Sequence, residues 1–282
     1  MPVIEANQRG IGRCGRLCIT LSHHATYFLA KRFRRAIPIT CVLGYPRSGT
    51  VWASQMAADY LQLPLPDLSL FPLGCPAVLH GHQAIEKHGP PALYVVRDGR
   101  DAMVSMYYYL RRMIPGKDGS QAPRRLRRYF AQARDLDDIR TNLPQFIEAQ
   151  CRRPVGTPYH WARHYASVAA SGRTDVPVLR YEAMKEDCVA ALTQAMTQFL
   201  GKPADAERVR QTVDRFSFAR QSGRKPGQED AAAFVRKGEV GDWVNHFNRD
   251  AARAFDRWCG PALWELGYEN DPNWTERLPQ QG

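Results

Sequence analysis

The sequence predicts an α/β fold in three layers, a central, mostly parallel sheet flanked by helices. Two observations predict it. Short apolar, β-branched runs alternate with longer amphipathic stretches, which is the signature of strands joined by crossover helices. The first such run leads through a glycine-bounded loop, Gly44 to Thr50, into a helical pattern. Strand, tight turn and helix therefore follow one another at the start of the sheet.

The elements follow in order. "AIPITCVLGY" is a strand, and "VWASQMAADYLQL" continues it as a helix, giving a strand–loop–helix unit over 37–63. A proline-rich loop covers 64–76, and "AVLHGH" at 77–82 is a short strand. "PALYVVRD" is a second core strand ending at Asp98, and "GRDAMVSMYYYLRRMI" is the helix after it. Residues 115–150 are basic and mixed and read as helices with a mobile loop. "TPYHWARHYASVAAS" is a helix, "VPVLRYEAM" a strand running into a loop, and "ALTQAMTQFLG" another helix. The chain turns irregular from Ser217 to Gly241 and closes with the helix "RDAARAFDRWCGPALWELG". No internal repeat or linker divides it. The 282 residues read as one domain, with 37–270 as the core and 1–36 as a basic amphipathic N-terminal extension.

Composition narrows the partners. Lys plus Arg is 39 and Asp plus Glu is 28, a net charge of +11. That surplus suits a polyanionic partner: nucleic acid, an acidic membrane face or a multiply phosphorylated small ligand. The seven cysteines show neither CxxC pairs nor Cys/His ligand spacing. They read as reduced thiols of a cytoplasmic protein, not as a disulfide framework or a zinc site. No apolar run reaches the roughly 18–20 residues of a membrane span. "LCITLSHHATYFLAKRFRRAIP", residues 17–38, is amphipathic and ends in Lys31, Arg32, Arg34 and Arg35. It reads either as a helix packed on the domain or as a peripheral contact with an anionic membrane.

"LGYPRSGTVW" carries the first chemical signal. Its glycine spacing nearly spells the Walker A loop, which makes the fold P-loop-NTPase-like. The Walker pattern needs Lys directly after the second glycine, and here Thr50 takes that place while Arg47 lies inside the loop. In α/β sheets ligands bind beyond the carboxyl ends of the strands. A glycine loop opening a helix presents backbone N–H groups and a positive dipole end there. The loop reads as a phosphate cradle, against the plainer reading of a tight turn. "YVVRDGRDAMVS" places Arg97 and Asp98 at the end of a second strand and Ser105 in the helix beyond. Such an RDxRD run is either a solvated salt-bridge cluster or a second phosphate clamp. "FVRKGEVGDW" sets Arg236, Lys237 and Gly238 in a row, an exposed basic turn or a third anion contact.

Taken together, these stretches resemble the cytosolic-type sulfotransferases. That family transfers a sulfonate group from 3′-phosphoadenosine-5′-phosphosulfate (PAPS), releasing 3′-phosphoadenosine-5′-phosphate (PAP), with no catalytic metal. "YPRSGTVW" is similar to its 5′-phosphosulfate loop, "YVVRDGRDAMVSMYYY" to its 3′-phosphate segment, "VPVLRYEAMKED" to the element after the fourth strand, and "FVRKGEVGDW" to its RKGxxGDW signature. The resemblance spans about 38–270. It implies that Arg47 neutralises charge on the sulfonate and the leaving phosphate, and that Ser48, Gly49, Thr50 and Val51 hold the 5′-phosphate. Trp52 would pack on the adenine, Tyr181 would lie near its amino group, and Phe218 would stack on it. Arg97, Ser105, Arg236, Lys237 and Gly238 would hold the 3′-phosphate. His82 falls at the family's catalytic base, and imidazole suits proton abstraction near neutrality. His80, two residues earlier, stands where the family usually has Lys, and either ring could reach the acceptor.

Three features depart from the family: His80 for Lys, Phe216 for a common Thr, and Val244 with no dimer motif of the animal enzymes after it. The oligomeric state is left open. The acceptor, small or lipid- or glycan-like, would meet loops at 64–80, 108–145 and 219–235; Leu65, Leu68, Leu70, Phe71, Leu73, Tyr107, Tyr108, Tyr109 and Met113 there are either pocket or core. Two other classes stand beside this reading. One is a nucleotide kinase or NTPase, with Asp98 as its metal carboxylate. The other is a non-catalytic basic binder of nucleic acid or membrane, which leaves the order of the loops unexplained. No nucleic-acid partner is expected.

Overall fold

The computed structural model describes residues 13–33, 39–66, 74–116, 122–217, 220 and 238–280. The chain divides into two compact units. The first draws on Met1–Gly44, Gly49–Val96 and Val168–Arg224, the second on Tyr45–Ser48, Arg97–Ser167 and Lys225–Gly282.

The first unit holds the sheet. Its strands are β1 (Ile39–Gly44), β2 (Ala77–Gly81), β3 (Ala92–Val96) and β4 (Val178–Arg180). All are parallel, in the order β2-β1-β3-β4. Parallel strands covered on both faces read as continuous apolar runs, and every residue of β1 and β3 is buried. The helices are α1 (Arg13–Arg32) and α2 (Thr50–Leu61), then α6 (Tyr181–Glu186), α7 (Cys188–Leu200) and α8 (Ala206–Arg215). Val42, Val78, Leu93 and Val95 from the strands share a core with Met56 of α2, Leu192 and Met196 of α7 and Val209 of α8. Near the other sheet face, α1 half-buries Tyr27, whose hydroxyl is pushed up by burial and then by the nearby Glu86 carboxylate. Lys31 pairs with Glu86 at 2.5 Å. Helix α1 thus contacts the rest of the first unit through Tyr27 and Lys31.

The second unit is helical. It contains α3 (Gly99–Arg111), α4 (Ile139–Arg152), α5 (Trp161–Ala170) and α9 (Arg249–Glu265). Their core is aromatic: Tyr107, Phe130, Phe146, Trp161, Phe247, Phe255 and Trp274 are all buried. Tyr107 donates its hydroxyl to the Leu136 carbonyl at 2.8 Å and accepts from Asn142 at 3.0 Å, so the buried phenol is satisfied at both ends.

Short acidic or amide side chains start the helices. Asp98, Asp138, Asp187, Asp205 and Asn248 each accept a hydrogen bond from a backbone N–H in the first turn of α3, α4, α7, α8 and α9, which satisfies donors the helix leaves orphaned. Two elements differ from the sequence reading. The chain after β4 is not a loop but helix α6, starting at Tyr181 directly from the strand end. The stretch before Ser217 contains α8, anchored by Thr212 and Arg215 on Asp59 at 2.6 and 2.7 Å.

Candidate active site

The loop between β1 and α2 is built by backbone geometry. Gly44 ends β1, and a Cβ there would stand 2.4 Å from the Val95 carbonyl oxygen and 2.7 Å from Thr50 Cγ2. Gly49 has φ +88, and a Cβ there would meet the Tyr181 ring at 2.6 Å. Both positions therefore exclude side chains, one by close approach and one also by the left-handed conformation. Arg47 adopts φ 71 without being glycine. That costs of order 1 kcal/mol, and such strain gathers at ligand-binding sites.

Within the first unit, the residues beyond the strand ends converge. Thr50 Oγ1 lies 2.9 Å from His80 Nε2. His82 Nδ1 lies 2.8 Å from the Gly44 carbonyl oxygen. The two imidazoles meet edge to face, with centroids 4.8 Å apart. A carbonyl can only accept, so His82 carries its proton on Nδ1, and in the neutral ring Nε2 is the basic nitrogen. Trp52 donates from Nε1 to the Phe216 carbonyl at 2.8 Å and meets Tyr181 edge-on at 6.2 Å. Val51 lies half-buried in the first turn of α2. Phe218, Arg236 and Lys237 lie outside the described residues.

Within the second unit, Arg47 donates from Nε to Ser105 Oγ at 3.0 Å, and its guanidinium sits 5.0 Å from the Tyr109 ring centre. Ser48 is fully buried, and its hydroxyl has no hydrogen-bond partner among the described residues. Arg97 donates to the carbonyls of Arg47, at 3.4 Å, and Glu239, at 2.9 Å, and pairs with Asp101 at 3.4 Å. Asp101 in turn accepts from the backbone of Gly241 at 2.9 Å and Trp243 at 3.0 Å. Gly238, at φ 66, opens that segment. Arg97 thus ties the backbone at Arg47 to the segment around Gly238.

The RDxRD run separates into different roles. Arg100 is buried, held by Asp98 at 2.8 Å and Glu269 at 3.1 Å, and lies 3.9 Å over the Trp243 ring. Burial pushes the Asp98 carboxyl up and the Arg100 hydrogen bond opposes it. Asp98 also caps α3, so this carboxylate is bound within the protein. Asp101 was missed as a positioning residue by the sequence reading, and nothing in RDxRD tells which acid faces the GDW segment. Of the expected acceptor-side residues, Tyr108, Tyr109 and Met113 pack partly buried on the core of the second unit, whereas Leu68 and Phe71 lie outside the described residues.

A parallel sheet in this strand order, with a glycine loop leading from its first strand into a helix, defines an α/β protein of the P-loop-like class. The sequence model of the sulfotransferase domain family matches residues 80–267. The chain belongs to the sulfotransferase family, a family of transferases. Among curated proteins it is 22% identical to Sulfotransferase 2B1 of Rattus norvegicus over 77% of this chain and 68% of that one. It is 24% identical to Sulfotransferase 2A1 of Homo sapiens over 82% and 86%. Among solved structures it is similar to mouse sulfotransferase SULT7A1 complexed with PAP, with a TM-score of 0.60 and 21% identity over 88% of this chain and 95% of that one. Retinol dehydratase in complex with androsterone and inactive cofactor PAP gives a TM-score of 0.53 at 15% identity, over 94% and 98%.

Proposed function

We propose that this protein transfers a sulfonate group from PAPS to a hydroxyl or amine of a small, largely apolar acceptor, with His82 as general base. The observation that carries this reading is the loop itself: strained Arg47 held on Ser105, beside the buried hydroxyl of Ser48, which has no partner among the described residues. A buried hydroxyl without a partner is costly, and an oxyanion would supply one. The residues present therefore fit a phosphate-bearing donor. Bound PAPS supplies the activated sulfonate and a phosphate leaving group.

Each residue then has a task. Ser48, Gly49, Thr50 and Val51 offer backbone N–H groups and hydroxyls at the start of α2, where the helix dipole favours an anion. Arg47 sets a fixed cation beside the transferring group. Trp52, Tyr181 and Phe218 bind the adenine. Arg97, Ser105, Arg236, Lys237 and Gly238 form the 3′-phosphate contact. His82, oriented by the Gly44 carbonyl, takes the acceptor proton on Nε2, and His80 orients Thr50. The NTPase reading is disfavoured because Thr50 stands in place of the Walker lysine and faces His80. Its would-be metal ligand Asp98 is occupied by Arg100.

Saturating PAP is expected to raise the melting temperature, since a ligand at 100 times its Kd stabilises by about 2.7 kcal/mol. ATP with magnesium should give a far smaller shift, and EDTA should leave turnover intact. A large shift with ATP–magnesium and none with PAP would overturn the donor assignment.

One further feature bears on location. No helix among the described residues is long and apolar enough to cross a membrane. Helix α1 turns Ser22, Thr26 and Ala30 inward while Leu21 and Phe28 stand 59% and 63% exposed, with Phe33 at 46% just after its end. Arg32 is exposed among them. Large apolar groups facing outward beside a cation on a chain of net charge +11 match an anionic lipid surface. We infer a cytoplasmic enzyme that rests on such membranes through α1 and so meets apolar acceptors. Vesicles containing phosphatidylserine should sediment the full chain, and pure phosphatidylcholine vesicles should do so weakly. The double substitution Leu21→Glu with Phe28→Glu should abolish sedimentation. Equal recovery with both vesicles, or no loss in the double variant, would refute it.

A further inference from the structure

The connection between α4 and α5 cannot continue either helix. Pro154 and Pro158 lack a backbone N–H. Arg153, directly before the first of them, leaves the helical region and ends α4, as a residue before proline is pressed to do. Gly156 then turns left-handed at φ 76. Between this irregular stretch, the end of α4, the first turn of α5 and Trp258 of α9 lies a cavity of about 270 Å³. It belongs wholly to the second unit. None of its wall residues is part of the proposed donor or acceptor contacts.

The wall carries an excess of positive charge. Arg152 and Arg163 bring two guanidinium groups to it, and among the described residues it holds no carboxylate. Glu148, one turn before Arg152 on α4, does not cancel them. It binds Arg257 at 2.6 Å and Trp258 Nε1 at 3.1 Å, and Arg152 reaches it at 3.6 Å. One carboxylate thus serves two guanidiniums. Arg163 makes no ion pair among the described residues, and its guanidinium lies 4.5 Å over the Tyr159 ring. A guanidinium stacked on a ring keeps its in-plane N–H groups for an anion.

The same wall is aromatic. The bond to Glu148 fixes the Trp258 ring, and the His160 ring meets it edge-on with centroids 5.6 Å apart. His160 Nδ1 lies 3.9 Å from Cys259 Sγ, so Nε2 is the ring nitrogen left to meet a ligand. The two prolines complete an apolar lining. The volume falls just under the range of about 300–1,000 Å³ usual for ligand pockets, which suits a single ring and its head group.

We propose that this cavity binds a small aromatic anion, one ring bearing a carboxylate or a sulfate. The head group pairs with Arg163 and Arg152, whose planar forks match either oxyanion. The ring packs against Trp258, where aromatic contacts gain beyond simple burial. The site does not depend on the reading of the β1–α2 loop as a donor site.

The test is calorimetric titration of the full chain with benzoate and with phenyl sulfate, against the neutral benzamide and the non-aromatic cyclohexanecarboxylate. Both aryl anions should bind, and the tighter of the two names the head group. Benzamide should bind about tenfold or more weakly, as a charge-assisted hydrogen bond is lost. Cyclohexanecarboxylate should bind about 2–10-fold more weakly than benzoate, and Trp258→Leu should erase that preference. Arg163→Ala should weaken benzoate about tenfold and leave PAP affinity unchanged, and PAP should not displace benzoate. No binding of either aryl anion, equal affinity for benzamide, or unchanged benzoate affinity in Arg163→Ala would overturn the site. The benzamide comparison decides on the wild type, whatever a variant does to folding. Displacement of benzoate by PAP would move it to the donor loop and overturn the site as well. Failure of PAP to bind at all would instead sink the donor reading.

Discussion

Replacing His82 by Ala is expected to lower kcat by about 10²–10⁴-fold, the usual contribution of a positioned base, while PAP affinity stays near that of the wild type. The reason is the ring's orientation. His82 holds the Gly44 carbonyl through Nδ1 at 2.8 Å, which fixes both the tautomer and the direction of Nε2. His80 has a different partner, the Thr50 hydroxyl at 2.9 Å. His80→Ala should therefore act on donor binding. Loss of one neutral hydrogen bond costs about 0.5–1.5 kcal/mol, roughly 2–10-fold in affinity, with a mild change in kcat. Steady-state rates at saturating PAPS and PAP titrations on the two variants separate the roles. If His80→Ala loses the rate and His82→Ala does not, the base is His80. Near-normal rates in both would mean that the acceptor needs no protein base or that another residue supplies it.

Much of this arrangement is legible in the sequence because backbone constraints are written in residue type. Gly44 and Gly49 mark positions where a Cβ has no room or the backbone turns left-handed, and each follows or precedes a plainly apolar or amphipathic run. The strand ends bearing His80 and Arg97 are legible for the same reason. Helix α8 was not, since its buried residues are just Val209 and Thr212. A stripe that narrow does not stand out, although Asp205 at its cap was an available signal. Helix α6 was hidden because Tyr181 begins it at the last residue of a strand pattern. The division of labour in "RDGRD" could not be read, since Arg97 and Arg100 are chemically identical in sequence. Their burial and partners alone make Arg100 structural and leave Arg97 at the loop.

Asp101→Ala is expected to cost about 3–5 kcal/mol, the usual consequence of removing one partner from a buried charged network. The Asp101 side chain is 1% exposed. One of its oxygens accepts from Gly241 N–H, and the other accepts from Trp243 N–H. Without it, both donors lose their acceptor and Arg97 loses its carboxylate, while the Arg47 and Glu239 carbonyls remain to it. The melting temperature should fall by about 10 °C or more. PAP affinity should fall with it, because the segment running through Gly238 to Trp243 carries part of the proposed 3′-phosphate contact. Asp101→Asn keeps the shape but retains a single acceptor oxygen, so it leaves one N–H facing an amide and should cost about 1–3 kcal/mol. The order wild type, Asn, Ala in both melting temperature and PAP affinity is the result to look for. A melting temperature unchanged in Asp101→Ala would mean that the Gly241–Trp243 backbone is held by something other than this carboxylate. A lowered melting temperature with wild-type PAP affinity would remove this segment from the donor site.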